Sequence, residues 1–210
     1  MNSSTRKFIN YVKAECKKHG VKVKISNRKY LIIPEENNVR VNGYFCSDSK
    51  VLRVASNKPF KKWFPIFVHE FCHFLQWKEN CKIWRDSFSD GNLGYLDASD
   101  AVFKWIDGER MSSKKIDKCI VLARNVELDC ERRVCKLIKE FNLPLNLDEY
   151  AQQANTYVYL YNWLKYSRRW YKTGNAPYEN PKIWKSMPKT LKGSHNKIPK
   201  YILELYNRYC

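Results

Sequence analysis

No stretch of this 210-residue sequence is apolar for long enough to cross a bilayer. The first eighteen residues carry charges but no apolar stretch of the kind a secretory leader needs. Among the eight cysteines no C-x-x-C pair occurs. That removes the ribbon-type zinc sites and the thioredoxin-like redox motif, and it predicts reduced thiols packed as small hydrophobes. The sequence has no internal repeat, low-complexity tract or clear linker. Carboxylates are scarce: 21 Asp and Glu stand against 39 Lys and Arg, a net charge of +18. The sequence shows no carboxylate-rich two-metal cluster, so a nuclease centre is not the expected reading. Together these absences predict a folded cytoplasmic chain. The charge excess predicts polyanionic partners, either nucleic acid or an acidic protein, and the cations are spread along the chain without a nucleic-acid-binding motif.

Histidine is also sparse, with four in all, yet two of them stand four apart in His69-Glu70-Phe71-Cys72-His73. On a helix this H-E-x-x-H spacing puts both imidazoles on one face, where they can share a metal ion. Glu70, one position round, can reach a metal-bound water and act as its base. Zinc is the ion expected for such donors. By the 3.6 period, Ile66, His69, His73 and Gln76 form one stripe of this helix. Phe64, Phe67, Val68, Phe71, Phe74 and Leu75 form the opposite, core-facing side. Cys72 falls on the wrong face to be a ligand.

The remaining pattern predicts an α+β fold. A helix over Thr5–His19 is followed by strands at Val21–Ser26, Tyr30–Ile33, Val39–Cys46 and Val51–Ala55. They form a small, mostly antiparallel sheet packed on the motif helix, Trp63–Glu79. The C-terminal half reads as largely helical. A long connection, Asn80–Lys118, holds one short helix over Ala98–Asp107. Helices over Asp117–Phe141, Leu147–Arg169 and Ile198–Arg208 follow. Residues 1–170 are expected to form the main domain, with 171–210 an irregular extension packed on it.

Within Asp117–Phe141, Glu127 lies inside the apolar stripe and Glu131 at its edge. Burying a lone carboxylate is costly, so Glu127 needs a partner: either an Arg or Lys side chain, or a metal. The second choice makes Glu127 the third ligand beside His69 and His73, with Glu131 supporting a metal-bound histidine from behind. The reverse assignment makes Glu131 the ligand. Val51–Ala55 is the strand expected to pair with an extended peptide. One of the many tyrosines in Leu147–Trp170 can serve an oxyanion, but the sequence singles out none. His195 reads as a surface-loop histidine.

The order of helix, strands, His69-Glu70-Phe71-Cys72-His73 and then Glu127-Leu128-Asp129-Cys130-Glu131 resembles the zincin metallopeptidases, and among them the small gluzincins. The run from Glu127 to Leu143-Pro144 is similar to the glutamate helix of ImmA/IrrE-type peptidases. The small basic chain also looks like the metallopeptidase-like proteins of bacteriophage genomes. The resemblance covers roughly Val39 to Pro144. It implies a zinc-dependent peptidase with His69, His73 and Glu127 as ligands, Glu70 as base and a protein or peptide substrate, acting in a host cytoplasm or a virion. The alternative on the same scaffold is a non-catalytic structural or nucleic-acid-associated protein. The third histidine that metzincin and SprT-like enzymes use soon after the motif is absent, since Lys78 holds the SprT-like position.

Overall fold

The computed structural model describes residues 2–33, 39–88, 97–172 and 175–210. It divides into two compact units, Met1–Cys81 with Arg133–Leu145, and Lys82–Arg132 with Asn146–Cys210. Residues 171–210 thus share a unit with 82–132 and 146–170. No helix among the described residues is long and apolar enough to cross a membrane.

The first unit opens with α1 (Ser3–Lys18), capped where the Asn2 side chain accepts from the Thr5 amide at 2.9 Å. Its buried face is Phe8, Ile9, Val12 and Cys16. Gly20, at a φ of +73°, makes the turn out of it. Three strands form a mixed sheet in the order β1 (Lys22–Ser26), β5 (Val51–Ala55), β4 (Gly43–Cys46). The β1–β5 pairing is parallel, with Lys24 opposite Arg53. The β4–β5 pairing is antiparallel, with Tyr44 opposite Arg53. A separate antiparallel pair joins β2 (Leu31–Ile33) and β3 (Val39–Val41). The sheet is therefore less uniformly antiparallel than the sequence suggests. Val39–Cys46, read as one strand, breaks at Asn42 and serves two sheets.

The motif lies on α2 (Phe60–Lys78), which runs against β4 and β5. Phe45 of β4 meets Phe74 and Trp77 at ring separations of 5.9 and 5.7 Å. On the other flank of the helix, Phe64, Phe67 and Phe71 surround Phe8. These rings are fully buried and make the core of this unit.

The second unit contains α3 (Lys82–Phe88), α4 (Ala98–Ile106), residues 113–132 of α5 (Ser113–Glu140), α6 (Leu147–Ser167), α7 (Pro181–Trp184) and α8 (Lys200–Tyr209). The sequence reading did not include α3 and α7. Residues 133–140 of α5 belong to the first unit. The core of the second unit gathers Ala101, Cys119, Ala123, Leu160, Trp163 and Tyr206.

Residues 185–196 have no regular structure apart from bends and turns, and side chains hold them in place. From α6, Gln152 donates to the carbonyls of Lys185 and Met187, both at 2.9 Å. Asn155 donates to Pro188 (2.8 Å) and Thr190 (3.0 Å), and Asn162 to His195 (2.8 Å). Arg132 of α5 donates to the Leu191 and Gly193 carbonyls. Met187, Leu191 and His195 are the buried residues of the segment, and these bonds satisfy carbonyls around them.

Candidate metal centre

Helical spacing brings His69 and His73 together on α2. Their Nε2 atoms face each other at 3.0 Å, and the rings are 4.6 Å apart and nearly perpendicular. His73 Nδ1 lies 2.8 Å from Gln76 Oε1. A carboxamide oxygen only accepts, so Nδ1 carries the proton and Nε2 keeps its lone pair. Gln76 is itself fully buried. It therefore fixes the tautomer and orientation of His73, as the outer partner of a metal-bound histidine does.

Two nitrogens bound to one tetrahedral zinc at about 2.0–2.1 Å stand roughly 3.3 Å apart. The observed 3.0 Å is close to that distance, and the donor atoms are of the right kind. On these observations the α2 pair fits a zinc ion. Glu70, beside His69, is only 8% exposed.

Gly43 explains how the sheet comes so near this turn. A Cβ there would lie 2.8 Å from Ile66 Cγ2 and 3.1 Å from both Glu70 Cγ and the Arg53 carbonyl. The bare backbone of β4 thus passes directly over the motif. A Gly43→Ala chain should be less stable by about 1–3 kcal/mol in urea unfolding, because β4 and the Ile66–Glu70 turn must separate. An unchanged unfolding midpoint would contradict this close approach.

The carboxylates predicted from α5 lie in the second unit. Glu127 (9% exposed) and Glu131 (5%) are both buried, and Cys130, on the same helix face, is fully buried. Glu131 accepts a hydrogen bond from the Tyr150 hydroxyl of α6. Tyr157 and Tyr161 hold their phenol protons far above the ordinary range, because burial and then the nearby charge of Glu127 oppose ionisation. Their hydroxyls are 3.3 Å apart. Glu127 therefore sits in an aromatic, hydroxyl-bearing surround.

Two expectations need correction. Val51–Ala55 is the central strand, with β1 and β4 on its two sides, so it has no edge to offer a peptide; the edge strand beside the motif is β4. His195 is not a surface histidine. It is 5% exposed, lies with its ring tilted against that of Tyr159 at 4.7 Å and places Nε2 2.6 Å from Asn155 Oδ1. Asn155 Nδ2 is committed to backbone carbonyls, so its oxygen must face the ring and Nε2 donates. Burial, helped by the charges of Arg132 and Arg124, pushes the His195 pKa below its usual value. His195 thus acts as a buried structural clasp.

Sequence reasoning placed Gln76 on the histidine stripe but gave it no role. It missed Gly43, and it did not single out Tyr150 from the other tyrosines of its helix. A glycine inside a strand pattern is the signal that could have marked a close backbone approach. Comparison with family models, with curated proteins and with solved structures gives no match to this chain.

Proposed function

We propose that the protein is a zinc-dependent peptidase with α2 as its active-site helix and the small sheet packed on it. The observation that carries this reading is the pair of imidazole nitrogens facing each other at 3.0 Å, with the buried Glu70 in the same turn. His69 and His73 are two ligands, and the sequence pattern supplies Glu127 as the third. Zinc held there would polarise the scissile carbonyl and acidify the attacking water. Glu70 takes a proton from that water and returns it to the departing amide nitrogen. An extended peptide adds to the outer edge of β4, where main-chain bonds hold it beside the motif. Gln76 keeps His73 oriented throughout. Among the described residues the cysteines form no disulfide, which suits work in a reducing cytoplasm.

Metal analysis of the purified protein tests this reading. About one zinc per chain is expected, lost in His73→Ala and in Glu127→Ala. Zinc retained in Glu127→Ala would move the third ligand to Glu131 or elsewhere. A wild-type chain that takes up no zinc would remove the basis of the proposal.

A further inference from the structure

The mixed sheet has two unlike faces. The β1–β5–β4 register places Leu52, Val54, Gly43 and Phe45 on one side, where Gly43 and Phe45 meet α2. The opposite side carries Lys22 and Lys24 from β1, Val51 and Arg53 from β5, and Tyr44 and Cys46 from β4. Lys22 and Lys24 are exposed, while Tyr44, Cys46, Val51 and Arg53 are partly so. None of these strand positions is a carboxylate. Lys24, Arg53 and Tyr44 form one row across all three strands.

Arg53 reaches towards Tyr44, with Nη1 3.3 Å from its hydroxyl and the guanidinium carbon 5.9 Å from the ring centre. Its buried Nε makes no hydrogen bond among the described residues. The first unit as a whole has 19 Lys and Arg against 7 Asp and Glu, two thirds of the net charge of +18.

We propose that this face of the sheet binds single-stranded nucleic acid. Lys22 and Lys24 alternate along one strand, so their ammonium groups follow each other at a spacing of roughly 7 Å and can track a sugar-phosphate backbone. Tyr44 and the Arg53 guanidinium offer flat surfaces on which bases stack. An acidic protein would use the cations but has no need of the tyrosine. This separates the two partner classes. The function is independent of the α2 site, which lies against the other face.

Fluorescence anisotropy with a labelled single-stranded DNA oligonucleotide, titrated with the full chain at several salt concentrations, tests the proposal. Lys22→Gln/Lys24→Gln should bind about tenfold more weakly. Its plot of log K against log salt should be shallower by about 1.4, since each phosphate contact on a single strand contributes about 0.7. Tyr44→Ala should lose about fivefold or more with the slope unchanged. Lys197→Gln/Lys200→Gln removes the same charge from exposed positions in the second unit and should stay within about twofold. Thermal melts by circular dichroism establish that each variant is folded. Equal losses in the two double variants would overturn the assignment of the face, as would wild-type protein that does not bind. A Tyr44→Ala chain with full affinity for DNA, alongside tight binding of poly-glutamate that is lost in Lys22→Gln/Lys24→Gln, would reassign the face to an acidic protein.

Discussion

Glu70→Gln is expected to leave the zinc content unchanged and to lower peptide hydrolysis by about a hundredfold to ten-thousandfold, the range that proton transfer by a positioned base supplies. The substitution keeps the size of the side chain, so the contact under Gly43 is preserved. The amide cannot accept the proton of the attacking water. Because His69 and His73 are untouched, metal content and catalysis should separate. The measurement is zinc analysis together with turnover of a casein-like substrate. Equal inertness of wild type and variant across acidic and basic substrates would favour a scaffold that uses zinc for folding alone. A variant as active as wild type would remove Glu70 from the chemistry.

The second large effect is on stability. Phe8→Ala should cost about 3–5 kcal/mol, as truncation of a buried ring does. In a chain of this size that lowers the melting temperature by roughly ten degrees. Phe8 is fully buried and makes edge contacts with four rings: Phe64 (6.1 Å), Phe67 (6.3 Å), Phe71 (5.9 Å) and Phe141 (5.0 Å). Each such pair contributes about 0.5–1.5 kcal/mol beyond its buried area. Four neighbours cannot all move into the space one ring leaves, so a cavity persists. Tyr166→Ala, at a residue 64% exposed, should change stability by no more than about 0.5 kcal/mol. If the two substitutions proved equally mild in a thermal melt, Phe8 would not be the centre of this core.

The helices of this protein were legible because their periodic residues face a core. On α2, Phe64, Phe67, Phe71 and Phe74 are buried and His69 and His73 are half-buried, as the stripe pattern requires. The Val51–Ala55 strand was legible for the same reason, with Leu52 and Val54 fully buried. Its place in the sheet was not. Strand order depends on long-range pairing, and nothing in five residues reveals that β1 will lie parallel beside them. Asn42 marks a change of sheet between β3 and β4 that the sequence does not announce, since strand-forming residues stand on both sides of it. The short helix α3 buries only Trp84 and Ser87, too little to leave a periodic signal. Of the candidate site, the histidine pair was readable from spacing and the roles of Gln76 and Gly43 were not. A carboxamide or a bare backbone gains its meaning from the neighbour it meets. His195 was misread because its burial depends on Asn155, forty positions earlier in the chain.

The segment 185–196 carries a further lesson about sequence drift. What it contributes to its own anchoring is mainly carbonyl oxygen, which every amino acid possesses. The selective half of each bond belongs to Gln152, Asn155, Asn162 and Arg132. Over generations the exposed positions of the stretch can exchange their side chains at little cost, while each of those four donors is confined to one residue type, and the buried Met187, Leu191 and His195 to a narrow choice. Related chains should therefore be recognisable at these four positions of α5 and α6 long after the exposed part of the segment has lost its likeness.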